Sequence, residues 1–154
     1  MLHRSVLRLA FALLVGACTA SEPFPPSDGT LAIGTWGGDN AGVIVTEDAS
    51  HVHIGCTFGD MPASIPLDPS GRFTVDGSYV LRAYPIQIGP ELPAQFSGRV
   101  SGRTLTLAVA VNDTVEKKLV ALGPITVVYG RTPDLGPCPI CRVPTPRPVG
   151  SGSR

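Results

Sequence analysis

Between residues 30 and 141 apolar and polar positions tend to alternate one by one. Thr104 to Val111 reads T-L-T-L-A-V-A-V, which places Leu105, Leu107, Val109 and Val111 on one face and threonine or alanine on the other. Arg72 to Leu81 keeps the same phase through Phe73, Val75, Tyr79 and Leu81, and Leu119 to Tyr129 supplies a last apolar stretch. Apolar spacing of the helical kind is absent from this region. Turn-forming residues punctuate it instead. Glu47-Asp48-Ala49-Ser50 separates G-V-I-V-T from H-V-H-I-G, and Asp68-Pro69-Ser70-Gly71 precedes the Phe73 run. Ser101-Gly102 reads as a hairpin turn, Asn112-Asp113 ends the long alternating run, and Asp76-Gly77 reads as a bulge because Tyr79 and Leu81 stay in phase.

Short strands joined by hairpins predict an all-β domain, an antiparallel meander of about eight strands closing into a small barrel. Closure removes the exposed sheet edges that invite aggregation. A β-sandwich is the alternative. A barrel of this size is filled by side chains or holds one small ligand. The remaining chain divides into residues 1–17 as a signal peptide, 18–29 as a Pro-rich linker and 142–154 as a Pro-, Gly- and Ser-rich disordered tail.

The signal rests on Arg4 and Arg8, the apolar run Leu9 to Val15, and Val15-Gly16-Ala17 leading into Cys18. That run falls short of the ~20 apolar residues a spanning helix needs and fits a secretory core of ~7–15. V-G-A-C resembles the lipobox of bacterial lipoproteins. The resemblance implies cleavage before Cys18, acyl chains such as palmitate on that residue, and a lipid-anchored place in the bacterial cell envelope. Thr19 stands where the family's inner-membrane retention signal has Asp, which points to the outer membrane or the cell surface. The alternative is an ordinary signal peptide cut near Ala20, leaving a secreted protein. Charge agrees with an envelope role. The chain has 12 basic and 12 acidic residues. Losing Arg4 and Arg8 leaves the mature chain slightly acidic, without the basic surface that nucleic acid requires.

Two resemblances concern the domain. Gly34-Thr35-Trp36 is similar to the G-x-W opening of lipocalin-like and avidin-like barrels, in which the tryptophan packs across one barrel end. More of the chain is similar to uncharacterised bacterial envelope proteins: T-W-G-G at Thr35, H-I-G-C ending at Cys56, I-P-L-D-P-S-G-R-F from Ile65, G-S-Y-V from Gly77, and F-S-G-R-V-S-G-R-T-L-T-L from Phe96. This likeness implies a compact β fold with a paired cysteine and no known activity.

Chemistry could come from H-V-H-I-G-C, which carries His51, His53 and Cys56, and from the C-P-I-C of Cys138 and Cys141. Two histidines with a C-x-x-C could hold zinc or copper tetrahedrally if the segments meet. The competing reading is a disulfide from Cys56 to a terminal cysteine, with Cys138 taken as the partner and Cys141 left as the other choice. Closing about 80 residues, such a bridge contributes roughly 4–4.5 kcal/mol on the chain-entropy model. Along a regular strand His51 and His53 share one face while Cys56 takes the opposite one. A site using all three is disfavoured unless Gly55 hosts a bulge. A redox role for C-P-I-C lacks the helix N-terminus that lowers a thiol pKa.

No G-x-S-x-G, G-x-x-x-x-G-K-[ST] or G-x-G-x-x-G is present. Asp60, Asp68, Asp76 and Asp113 are expected in turns, bonded to nearby backbone. The sequence therefore points to a non-enzymatic, membrane-anchored lipoprotein binding a small apolar ligand or an envelope protein, with metal binding as the alternative.

Overall fold

A computed structural model describes residues 28–83 and 89–138. Cys18, Cys141, the signal peptide and the tail lie outside them. Eight strands follow one another in sequence: β1 (Gly34–Gly38), β2 (Ala41–Val45), β3 (Ser50–Ile54), β4 (Thr57–Met61), β5 (Arg72–Val80), β6 (Leu92–Ser101), β7 (Thr104–Asp113) and β8 (Lys118–Tyr129). Each pairs antiparallel with the next, and β8 returns to β1 through Trp36 opposite Tyr129 and Gly37 opposite Val128. The result is a closed antiparallel barrel, as the alternation predicts.

Alternation also fixes what points inward. Leu105, Leu107, Val109 and Val111 of β7 are all buried, as are Phe73 and Tyr79 of β5 and Leu92, Ala94 and Phe96 of β6. Trp36, Val43, Val52 and Val127 close the same core from the other side. Trp36 donates its indole N–H to the Ala32 carbonyl at 3.1 Å and meets the Tyr129 ring edge-on at 5.2 Å. The Tyr79 hydroxyl sits 2.8 Å from Thr57 Oγ1, and burial pushes its pKa up to about 12.

Two readings of turns and bulges change. Asp76-Gly77 is not a bulge: β5 and β6 stay in unbroken register from Arg72–Arg99 to Tyr79–Leu92. Gly77 is needed there for close approach, since a Cβ would fall 2.1 Å from the Asp60 carbonyl oxygen. The irregularity lies instead between Leu107 and Val109, where β7 meets the part of β8 that contains Pro124, a residue with no N–H to donate. The β6–β7 turn is Gly102-Arg103, one residue later than the sequence suggests, with Ser101 paired to Thr104.

The two rims differ. At the rim holding the β2–β3, β4–β5 and β6–β7 connections, the incoming segment pairs with the β4–β5 loop. Leu31 N–H donates to Ile65 O at 2.9 Å and Leu67 N–H to Gly29 O at 2.7 Å. Leu31 and Ile65 are buried as a plug. From β8 at this same rim, residues 130–138 turn back and run outside the β1–β2 hairpin. Gly37 and Gly42 face each other on that outer surface. A Cβ on Gly37 would stand 2.2 Å from Arg131 O, and one on Gly42 2.6 Å from Pro133 Cγ. The segment therefore lies as a strap over two glycines. Asn40 N–H donates to Asp134 O, and Asp134 N–H to Gly38 O, at the far rim.

Candidate functional site

The strap ends in the covalent link expected from the cysteines. Cys56 is bonded to Cys138 across 82 residues, with Cα atoms 5.5 Å apart. Cys56 is not on a strand face. Ile54 pairs with Thr57, so Gly55-Cys56 is a two-residue hairpin turn with Gly55 at φ +59°. The bridge thus pins the strap to the β3–β4 turn rather than to a strand.

That turn also sets what lies opposite the histidines. Counting back from it, His53 faces Phe58 and His51 faces Asp60. Val52 is buried inside the barrel, so His51 and His53 project from the outer surface. Asp60 is consequently a strand residue and not a turn carboxylate. His51 Nδ1 is 2.6 Å from Asp60 Oδ1, and His51 Nε2 is 3.0 Å from His53 Nε2. The imidazoles meet edge-on at 4.8 Å, and Phe58 backs both rings at 5.5 and 5.7 Å. Burial first, and the charge of His51 second, hold His53 below the ordinary imidazole range, while Asp60 opposes this.

This carboxylate–imidazole–imidazole row has two satisfied proton states. With both rings neutral, His51 donates from Nδ1 to Asp60 and accepts at Nε2 from His53. With one added proton on either ring both bonds persist, one imidazole donating across the Nε2–Nε2 contact and the other accepting. A second added proton would set two N–H groups against each other. No hydroxyl or thiol among the described residues is hydrogen-bonded to either ring, so the row lacks a nucleophile to activate.

The four-ligand set of His51, His53, Cys138 and Cys141 does not assemble among the described residues. Cys138 is spent in the disulfide, and Cys141 lies outside them. No group of three or more His, Cys, Asp or Glu among the described residues could hold a metal ion. What remains is a pair of converging imidazole nitrogens oriented by a carboxylate.

The other aspartates divide by position. Asp68 and Asp113 do bond local backbone: Asp68 Oδ1 accepts from the N–H of Ser70 and Arg72, and Asp113 Oδ1 from those of Val115 and Glu116. Both carboxyls are held below the usual range, Asp68 chiefly by the Arg72 N–H and Asp113 chiefly by the Arg82 guanidinium. Asp76 lies mid-strand, 3.4 Å from Gln95 across the ladder.

Sequence reasoning did not single out Asp60 or Phe58 as partners of the histidines. The signal was available: a two-residue turn at Gly55-Cys56 dictates both pairings. Comparison of the chain with protein-family models, curated proteins and solved structures finds no match in any of the three.

Proposed function

We propose that this chain is a lipid-tethered, non-catalytic protein of the bacterial envelope, held through Cys18 at the outer membrane or cell surface. In this reading it binds a neighbouring envelope protein or a small ligand through the outside of its barrel. One observation carries the outward orientation: the interior is occupied. Trp36, Tyr79, Phe96, Leu105 and Leu107 are each fully buried within the ring of strands, and interiors packed this way leave little room for a guest. The V-G-A-C sequence supports the tether. The absence of a nucleophile beside the only paired imidazoles among the described residues supports binding over catalysis.

The full chain expressed in a two-membrane bacterium should partition with membranes, and Cys18→Ala should release it to the soluble fraction. Membrane retention of Cys18→Ala overturns the tether. Titration of the soluble Cys18→Ala form with a fluorescent fatty acid should leave the emission of the buried Trp36 unquenched. A single saturable site that quenches Trp36 overturns the occupied-interior reading.

The His51–His53 geometry favours a second reading, an envelope protein that takes up zinc or copper. Their Nε2 atoms converge, and Asp60 on the Nδ1 of His51 is the arrangement that orients metal-binding imidazoles. Calorimetric titration with copper(II) should then show one site that His53→Gln abolishes. Equal binding by the variant removes this reading.

A further inference from the structure

A concavity among the described residues has no connection with the histidines. It is an open groove of about 810 Å³ on the outer face of β5–β8, near the rim where the N-terminal segment enters. Thr74 and Ser97 lie opposite each other along it, and Arg72 and Arg99 form the next outward pair. Thr106 continues the arginine row from β7. Gly98, Ala108 and Pro124 add an apolar floor.

The arginine pair is unusual in its surroundings. Like charges directly opposite each other on neighbouring strands repel. Among the described residues no carboxylate lies within ion-pair distance of either guanidinium. Arg99 makes one neutral contact, donating from Nε to Ser70 O at 3.3 Å. Asp68 lines the same groove, and its charge acts on Arg72 from beyond ion-pair distance, offsetting part of the pair's positive charge. Its Oδ1 accepts from Ser70 N–H, Ser70 Oγ and Arg72 N–H within the loop. Elsewhere the described arginines at acidic positions are paired: Arg82 with Asp113 and Glu116, Arg131 with Asp39.

We propose that Arg72 and Arg99 form the head of a binding site for a small hydroxylated organic anion, such as a sugar acid or a sugar phosphate. Guanidiniums carried by two directly paired residues can match the two or three oxygens of a carboxylate or phosphate. Thr74, Ser97 and Thr106 offer hydroxyls that donate to or accept from a polyol body, and the apolar floor takes a sugar's C–H face. The ligand neutralises a repulsion that the free protein carries. This proposal deepens the outer-surface reading and names the chemistry of one such surface.

The test uses the full chain bearing Cys18→Ala, with ionic strength held constant by chloride. Phosphate and glucuronate should each raise its melting temperature saturably. Glucuronate should bind about tenfold tighter than hexanoate, which has the same head but no hydroxyls. Arg72→Gln and Arg99→Gln should each weaken binding by about tenfold. The double variant should lose the anion response while melting no lower than its parent without anion, because the repulsion is gone. An equal anion response in parent and double variant overturns the site, as does no response in either. Hexanoate binding as tightly as glucuronate overturns the hydroxylated ligand class. The titration reads the groove alone and membrane partition reads the tether, so the two readings fail separately.

Discussion

The two halves of the barrel are built differently. Strands β5–β8 run 9 to 12 residues, and each lies against its neighbour along most of its length. Strands β1–β4 have five residues each. They carry glycine at Gly34, Gly37, Gly38, Gly42 and Gly59, and only three residue pairs join β4 to β5. Glycine weakens a strand through its extra chain entropy and missing side-chain contacts. The short half compensates from outside: the strap covers Gly37 and Gly42, and the disulfide fastens it at the β3–β4 turn. The long half is held by its own side chains. The short half is held by a segment that is not part of the barrel wall.

The largest effect should come from the long half. Phe96→Ala removes a fully buried ring next to Tyr79 and should cost about 4 kcal/mol. Chemical denaturation should show the loss as a lower midpoint with both halves melting together. Replacing Cys56 and Cys138 together by serine should cost about 3 kcal/mol, less than the chain-entropy figure because the reduced unfolded chain retains some structure. Here amide exchange should rise in β1–β4 well before β5–β8. Uniform exchange across both halves would contradict the division of labour.

Gly37→Val should cost about 2 kcal/mol, because the new side chain meets Arg131 and Thr132 backbone. The same exchange pattern should appear, now with the disulfide intact. The smallest effect is electrostatic. Because His53 titrates below its ordinary value of 6.5 when folded, its contribution to stability is complete above that pH. It declines as pH falls below 6.5 and through the folded value, since the unfolded chain takes the proton first. His53→Gln should flatten the stability profile in that window. The loss below about pH 4, set by Asp68 and Asp113, should persist.

The same contrast explains what the sequence could disclose. In the long half, side chains alternate against one core, so T-L-T-L-A-V-A-V states both strand and orientation. The barrel and its strand number follow from that pattern. In the short half, glycines carry no pattern, and the reason for Gly37 and Gly42 is a segment nearly a hundred residues away. The strap was therefore illegible: residues 130–138 have no periodicity and are interrupted by Gly130, Pro133, Gly136 and Pro137. The histidine pair was legible as two residues on one face. Its partners Asp60 and Phe58 required the turn to be placed at Gly55-Cys56. The arginine groove needed the register of β5 and β6, which no local signal gives.

The strap has one further consequence. Asp28 enters at one rim, and residues 130–138 carry the chain down the outside to the other, so the described ends stand a barrel-length apart. A circular permutant would need a linker long enough to retrace that path. A reporter joined directly to Cys138 would start at the rim opposite the one where Asp28 enters.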